Sequence, residues 1–155
     1  MALVFCLLGT TVPLTALAAG EDGEVQYIVS NDGTTLTIQG DGEIISQALN
    51  ANVTAEQKKT LTSVEIGAGV TGIADGYSSV FPAGVTNVTL KGSGAFRFGK
   101  YSFKGQKNLT VQSERTSLAI GSYAFHNAVL TEFPMDQLHT IGSYGFSNAV
   151  LRSAA

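Results

Sequence analysis

An eleven-residue segment occurs twice near the C-terminal end of this chain, and it constrains the fold more than any other feature. Ile120-Gly121-Ser122-Tyr123-Ala124-Phe125-His126-Asn127-Ala128-Val129-Leu130 returns as Ile141-Gly142-Ser143-Tyr144-Gly145-Phe146-Ser147-Asn148-Ala149-Val150-Leu151, with changes only at Ala124/Gly145 and His126/Ser147. The offset of 21 residues falls in the range of solenoid repeats. A unit this short cannot bury its own apolar face, so successive units must stack and share a core.

Weaker copies lie upstream. Phe98-Gly99-Lys100-Tyr101-Ser102-Phe103 keeps the apolar-Gly-x-Tyr-small-Phe frame. Ile73-Ala74-Asp75-Gly76-Tyr77 opens the same way, but Ser78-Ser79-Val80-Phe81 displaces its phenylalanine. The anchors Ile73, Phe98, Ile120 and Ile141 are 25, 22 and 21 residues apart. Ahead of each copy runs a short alternating stretch: Leu61-Thr-Ser-Val64-Glu-Ile66, Val85-Thr-Asn-Val88-Thr-Leu90, Asn108-Leu109-Thr110-Val111 and Leu130-Thr-Glu-Phe133-Pro-Met135. Period-two alternation rich in Val, Ile, Leu and Thr predicts strands with one buried face. The Ile-Gly-x-Tyr-x-Phe segment then turns the chain, with glycine supplying backbone freedom and phenylalanine filling the interior. This frame predicts Ile120, Phe125, Ile141 and Phe146 buried, with Ser122 and Ser143 facing solvent.

At these residues the chain resembles the BspA-like leucine-rich repeat family of secreted and surface proteins. Leu61-Thr-Ser-Val-Glu-Ile66 followed by Gly69-Val70-Thr71-Gly72-Ile73 fits that family's unit, and Gly33-Thr-Thr-Leu-Thr-Ile-Gln-Gly-Asp-Gly42 is similar to a segment that often precedes such repeats. The likeness covers about residues 61–151. A cysteine common in the family three places after the phenylalanine is replaced by Ala128 and Ala149. The expected fold class is a β-rich solenoid of leucine-rich repeats of BspA-like type, with an N-terminal β-hairpin cap and one short helix. The resemblance also implies adhesion to proteins or cells, although a fold does not by itself transmit a function.

The domain organisation read from the sequence has three parts. Residues 1–19 form a signal peptide: Leu3-Val4-Phe5-Cys6-Leu7-Leu8 is a short apolar core, and Ala16-Leu17-Ala18 fits a small-x-small cleavage site, although no Lys or Arg precedes the core. Gly9, Thr10, Thr11 and Pro13 interrupt the apolar run, leaving it too short for a membrane span. Residues 20–60 form the cap. Val25–Ser30 and Thr35–Gln39 flank the hairpin signal Asn31-Asp32-Gly33, and Thr54 with Gln57 makes a capping box for a helix. Residues 61–155 hold the repeats, the last of them expected to be truncated. Cys6 is the only cysteine, so the mature chain has no disulfide to stabilise it.

Composition and charge narrow the function. Apolar residues make up 44% and charged residues 14% of the chain, a balance that suits a packed protein. The net charge of −3 argues against nucleic acid as a partner. The charge is unevenly spread: residues 76–113 contain Lys91, Arg97, Lys100, Lys104 and Lys107 with no acid, a candidate patch for an anionic partner.

No residues mark catalysis. His126 and His139 stand apart, and the next copy has Ser147 in place of His126. Asp32, Asp41 and Glu43 lack calcium-loop spacing, no His/Cys cluster exists, and Gly92-Ser93-Gly94 lacks the lysine and helix of a phosphate loop. The chain is therefore expected to be non-catalytic, with no cofactor or metal. Two functions follow. One is an exported or cell-surface module recognising a protein or glycan through the outward strand positions Ser63, Glu65, Asn87, Thr89, Asn108, Thr110 and Glu132. The other is an architectural spacer or stalk with no ligand of its own. Tyr101, Tyr123 and Tyr144 recur in register and favour the first. The last repeat is expected to expose an apolar edge around Phe146 and Leu151, a site for self-association.

Overall fold

The computed structural model describes residues 24–152; the signal-peptide reading, with Cys6, lies outside them. The chain winds as a β-rich solenoid of about four turns. Each turn places one strand in each of two parallel sheets. The first sheet contains β1 (Gln26–Val29), β2 (Thr35–Gln39), β4 (Ser63–Ile66), β6 (Asn87–Leu90), β8 (Leu109–Ser113), β10 (Val129–Glu132) and β12 (Val150–Leu151), in that spatial order. The second runs β3 (Gly42–Ile44), β5 (Val70–Ile73), β7 (Ala95–Phe98), β9 (Ser117–Ile120) and β11 (Leu138–Ile141). Every pairing is parallel except β1 with β2.

The antiparallel β1–β2 pair is the hairpin expected at Asn31-Asp32-Gly33. Of those three only Gly33 takes a positive φ, 74°. Asp32 works through its side chain, accepting hydrogen bonds from the Ser30 hydroxyl at 2.6 Å and from the Thr34 amide and hydroxyl. These bonds hold its carboxyl below the ordinary carboxylate range, the Ser30 bond foremost. β2 and β3 already belong to the parallel ladders, pairing with β4 and β5. The parallel register therefore begins at Thr35, and among the described residues β1 covers that edge of the first sheet.

Two short helices fill the third side of the first turn, where one was expected: α1 (Ser46–Asn52) and α2 (Ala55–Thr60). The capping box forms as read, with the Thr54 hydroxyl accepting from the Gln57 amide and the Gln57 side chain accepting from the Thr54 amide. Neither helix is long enough to be stable alone. Buried Leu49, Val53 and Leu61 hold them to the core.

Inward strand residues form columns down the axis. One is Leu36, Val64, Val88, Val111; another is Ile44, Ile73, Phe98, Ile120, Ile141. All are buried except Ile141, which is 56% exposed. It was expected in the core, but β11 is the last strand of its sheet and nothing among the described residues covers its outer side. Phe146 is likewise only half-buried, stacking on Phe125 from one side. Ile120 and Phe125 are buried as expected; Ser143 is exposed but Ser122 is half-buried.

Phenylalanines supply much of the interior. Phe81, Phe103, Phe125 and Phe146 form a ladder with centroid spacings of 5.4, 5.4 and 5.2 Å. Phe81 is thus displaced only in sequence. The extra residues of its turn bulge outward at Tyr77, which is 97% exposed, and the ring returns to its place. The alternation expected to reach Met135 ends early. Pro134 lacks an amide for the ladder, β10 stops at Glu132, and Met135 enters an exposed 3₁₀ turn (Met135–Gln137).

Candidate interaction faces

The Ile-Gly-x-Tyr-small-Phe segments form a third side of the solenoid, hydrogen-bonded from turn to turn. The amides of Tyr101, Phe103 and Gly105 donate to the carbonyls of Ser122, Ala124 and His126, and those of Tyr123, Phe125 and Asn127 donate to Ser143, Gly145 and Ser147. Gly99, Gly121 and Gly142 are not the residues with unusual backbone. A Cβ at Gly121 would lie 2.7 Å from the Phe98 carbonyl oxygen, and one at Gly142 would lie 2.9 Å from the Ser122 nitrogen. These glycines permit close approach of the preceding turn.

The left-handed positions are instead Tyr101, Tyr123 and Tyr144, with φ of 62°, 57° and 59°. A second left-handed column holds Gly105, Asn127 and Asn148, the residue types that tolerate that region most readily. Bulky tyrosine in the first column is an uncommon choice. Its rings stack along the axis, Tyr101 on Tyr123 at 5.4 Å and Tyr123 on Tyr144 at 5.0 Å. The Lys100 and Lys104 ammonium groups each lie 5.1 Å from the Tyr101 ring centre, and His126 meets Tyr123 edge-on.

The cationic residues of the candidate patch do not form one cluster. Lys91 pairs with Glu114 at 3.1 Å, at the end of β6. Arg97, on β7 in the second sheet, pairs with Asp75. Lys107 donates to the Asn127 carbonyl at 2.7 Å. Only Lys100 and Lys104 remain together, and neither ammonium pairs with an acid among the described residues. Sequence order had grouped side chains that the winding places on different sides.

The expected ligand face is partly assembled. Ser63, Asn87 and Thr110 share one column across β4, β6 and β8, with Glu132 beside Thr110; Glu65 and Thr89 share the next. Asn108 lies outside both columns. It precedes β8 with φ 54°, because Asn87 pairs with Thr110 rather than with the similar Asn-Leu-Thr start. The residue continuing the Glu65–Thr89 column is Gln112, which sequence matching by motif had missed.

Of the three buried polar residues, Ser102, Gln106 and Arg115, the last two form hydrogen-bond networks that escaped the sequence reading, and both are structural. Arg115, 3% exposed, donates to the carbonyls of Gly67, Val70, Ala68 and Ser93 at 2.7–3.4 Å. It also lies over Phe96, 5.4 Å from the ring centre, and burial lowers its pKa. Gln106 donates to the Pro82 and Val85 carbonyls at 2.8 and 3.0 Å and accepts from Ser79. It occupies the place of Ala128 and Ala149 and secures the irregular loop of the preceding turn. Only its departure from alanine in the repeat frame could have signalled this.

Among the described residues no three His, Cys, Asp or Glu side chains gather as a metal site, and no helix is long and apolar enough to cross a membrane. A shallow open cavity of about 230 Å³ lies by Glu24, Tyr27, Asp41, Glu43 and Ile45; Asp32 is engaged in the hairpin instead. Compared with protein-family models, curated proteins and solved structures, the chain gives no match.

Proposed function

We propose that this chain is an exported or cell-surface, non-catalytic recognition module of BspA-like leucine-rich repeat type, binding a protein or glycan. The observation that carries this reading is the alignment of outward side chains into axial rows, above all the tyrosine column. Such rows present the same groups at the strand spacing of about 4.7–4.9 Å, which suits an extended ligand. Repeats supply that surface by stacking, with no need for a concave pocket.

The test is binding of the purified protein to an array of immobilised glycans and extracellular proteins. Saturable binding that is lost on substitution along one outer face supports recognition. Measurable hydrolase or transferase turnover would sink it.

A second reading, a spacer or stalk, has its own supporting observation. Ile141, Tyr144, Val150 and Leu151 are 39–63% exposed at the C-terminal end, beside strands β11 and β12. That surface suits self-association. Concentration-dependent oligomers together with an array giving no ligand would favour the spacer.

A further inference from the structure

We propose that the tyrosine–lysine side of the solenoid binds an acidic polysaccharide, a uronate-bearing pyranose chain laid along the axis. This rests on the recognition reading above and assigns it a face and a ligand class.

The backbone first shows that these tyrosines are present for their side chains. Over three successive turns the chain fills one left-handed column with Gly105, Asn127 and Asn148 and the other with three tyrosines. The low-cost solution is therefore available and used four residues further on in each turn. A strained conformation retained at successive turns points towards function. The rings stack on one another, so their faces are largely occupied, Tyr101 carrying two ammonium groups on its own. Their hydroxyls remain as the polar groups of the row: Tyr101 and Tyr123 are half-buried and Tyr144 is 63% exposed. One turn upstream, Tyr77 stands 97% exposed in a loop tied to this side by the Gly76 amide on the Lys100 carbonyl.

The row thus offers phenolic hydroxyls at successive turns and two ammonium groups at one end. Asp75 is engaged mainly elsewhere, its Oδ1 accepting from Arg97 and the Lys100 backbone amide, although its charge also acts on the Lys100 ammonium; the Lys104 ammonium pairs with no acid among the described residues. Hydroxyl-rich ligands with carboxylates match this set of donors.

Spacing separates a sugar chain from an acidic peptide. The rings are 5.0 and 5.4 Å apart, close to the length of one pyranose in an extended chain. A peptide strand presents same-facing side chains only every second residue, roughly 6.6 Å, and drifts out of step with the row.

The experiment is calorimetric titration of the purified protein with β-1,4-linked hexamannuronate, with cellohexaose and poly-glutamate as neutral and peptide comparators. Hexamannuronate is expected to bind, and the comparators at least tenfold more weakly. Lys100→Gln with Lys104→Gln should lower affinity at least tenfold. Tyr123→Phe, which keeps the stack and removes one hydroxyl, should lower it several-fold with an unchanged melting temperature. Glu56→Gln, on the exposed helix α2, should leave it unaltered, and Thr89→Ala tests the first sheet. Absent uronate binding, equal poly-glutamate binding, or binding indifferent to both the lysine and tyrosine variants overturns the proposal. Uronate binding lost only in Thr89→Ala would move the site to the sheet and leave the recognition reading standing. No uronate binding together with a blank array would remove both.

Discussion

The segments 120–130 and 141–151 are nearly the same in sequence and quite different in environment. Ile120 is 3% exposed and Ile141 56%; Phe125 is fully buried and Phe146 half-buried. Each residue in a stacked turn touches the turn before it and the turn after it. Contacts with the preceding turn exist in both copies; those with a following turn exist, among the described residues, only in the earlier copy. Burial in a solenoid is therefore a property of the neighbours, and repeat regularity does not measure it. The copy that begins at Ile73 makes the converse point. Its sequence is the least regular, yet Ile73, Val80 and Phe81 are all buried.

Substitution of the paired phenylalanines breaks this comparison most sharply. Phe125→Ala is expected to cost about 3–5 kcal/mol, as for a large core aromatic, and Phe146→Ala less than half as much. Equal losses in chemical denaturation would show that the terminal turn is covered after all. Next comes Arg115→Met, which strips the donors from several carbonyls where three turns meet. Leaving such buried groups unpaired costs about 1–3 kcal/mol, and denaturation should register it although no repeat position is touched.

A third test addresses contacts that the copies share. Gly121→Ala and Gly142→Ala both press a methyl group into the preceding turn, so both should destabilise, by roughly 1–3 kcal/mol as overpacking does. A large effect at one and none at the other would contradict the common backward contact. The smallest effect is electrostatic. Asp75 has its pKa lowered, first by the Lys100 amide and then by Arg97. Its ionised form is favoured in the folded state, so its contribution is present above the ordinary carboxylate range and is lost as pH falls through the lowered value. Because the pair is exposed, the difference between wild type and Asp75→Asn should be under about 1 kcal/mol. It should vanish in acid; a difference that grew as pH fell would mean that folding favours the protonated carboxyl instead.

The repeat, its period, the inward phenylalanines and the hairpin were legible because each is written in local pattern. Register was less so. Asn87 and Asn108 open similar motifs, but hydrogen bonding sets Asn87 against Thr110, and no local pattern reports which residues oppose each other across turns. Lys91, Arg97, Lys100, Lys104 and Lys107 are distributed over different elements for a related reason. Neighbours in sequence go round the coil, so residues a few positions apart face different ways. Arg115 and Gln106 were invisible because their partners lie 21–48 residues away. The left-handed tyrosines ran against propensity, and only coordinates reveal them.

The loop carrying Tyr77 has a wider consequence. Its turn is longer than those that follow, yet the flanking strands keep parallel register and Phe81 rejoins the aromatic ladder. The coil thus separates a frame of invariant circumference from an appendage whose length it does not count. Foreign peptides inserted between Gly76 and Ser79 should be displayed without retuning the core. Variation at that corner can then change what the molecule presents while leaving how it folds untouched.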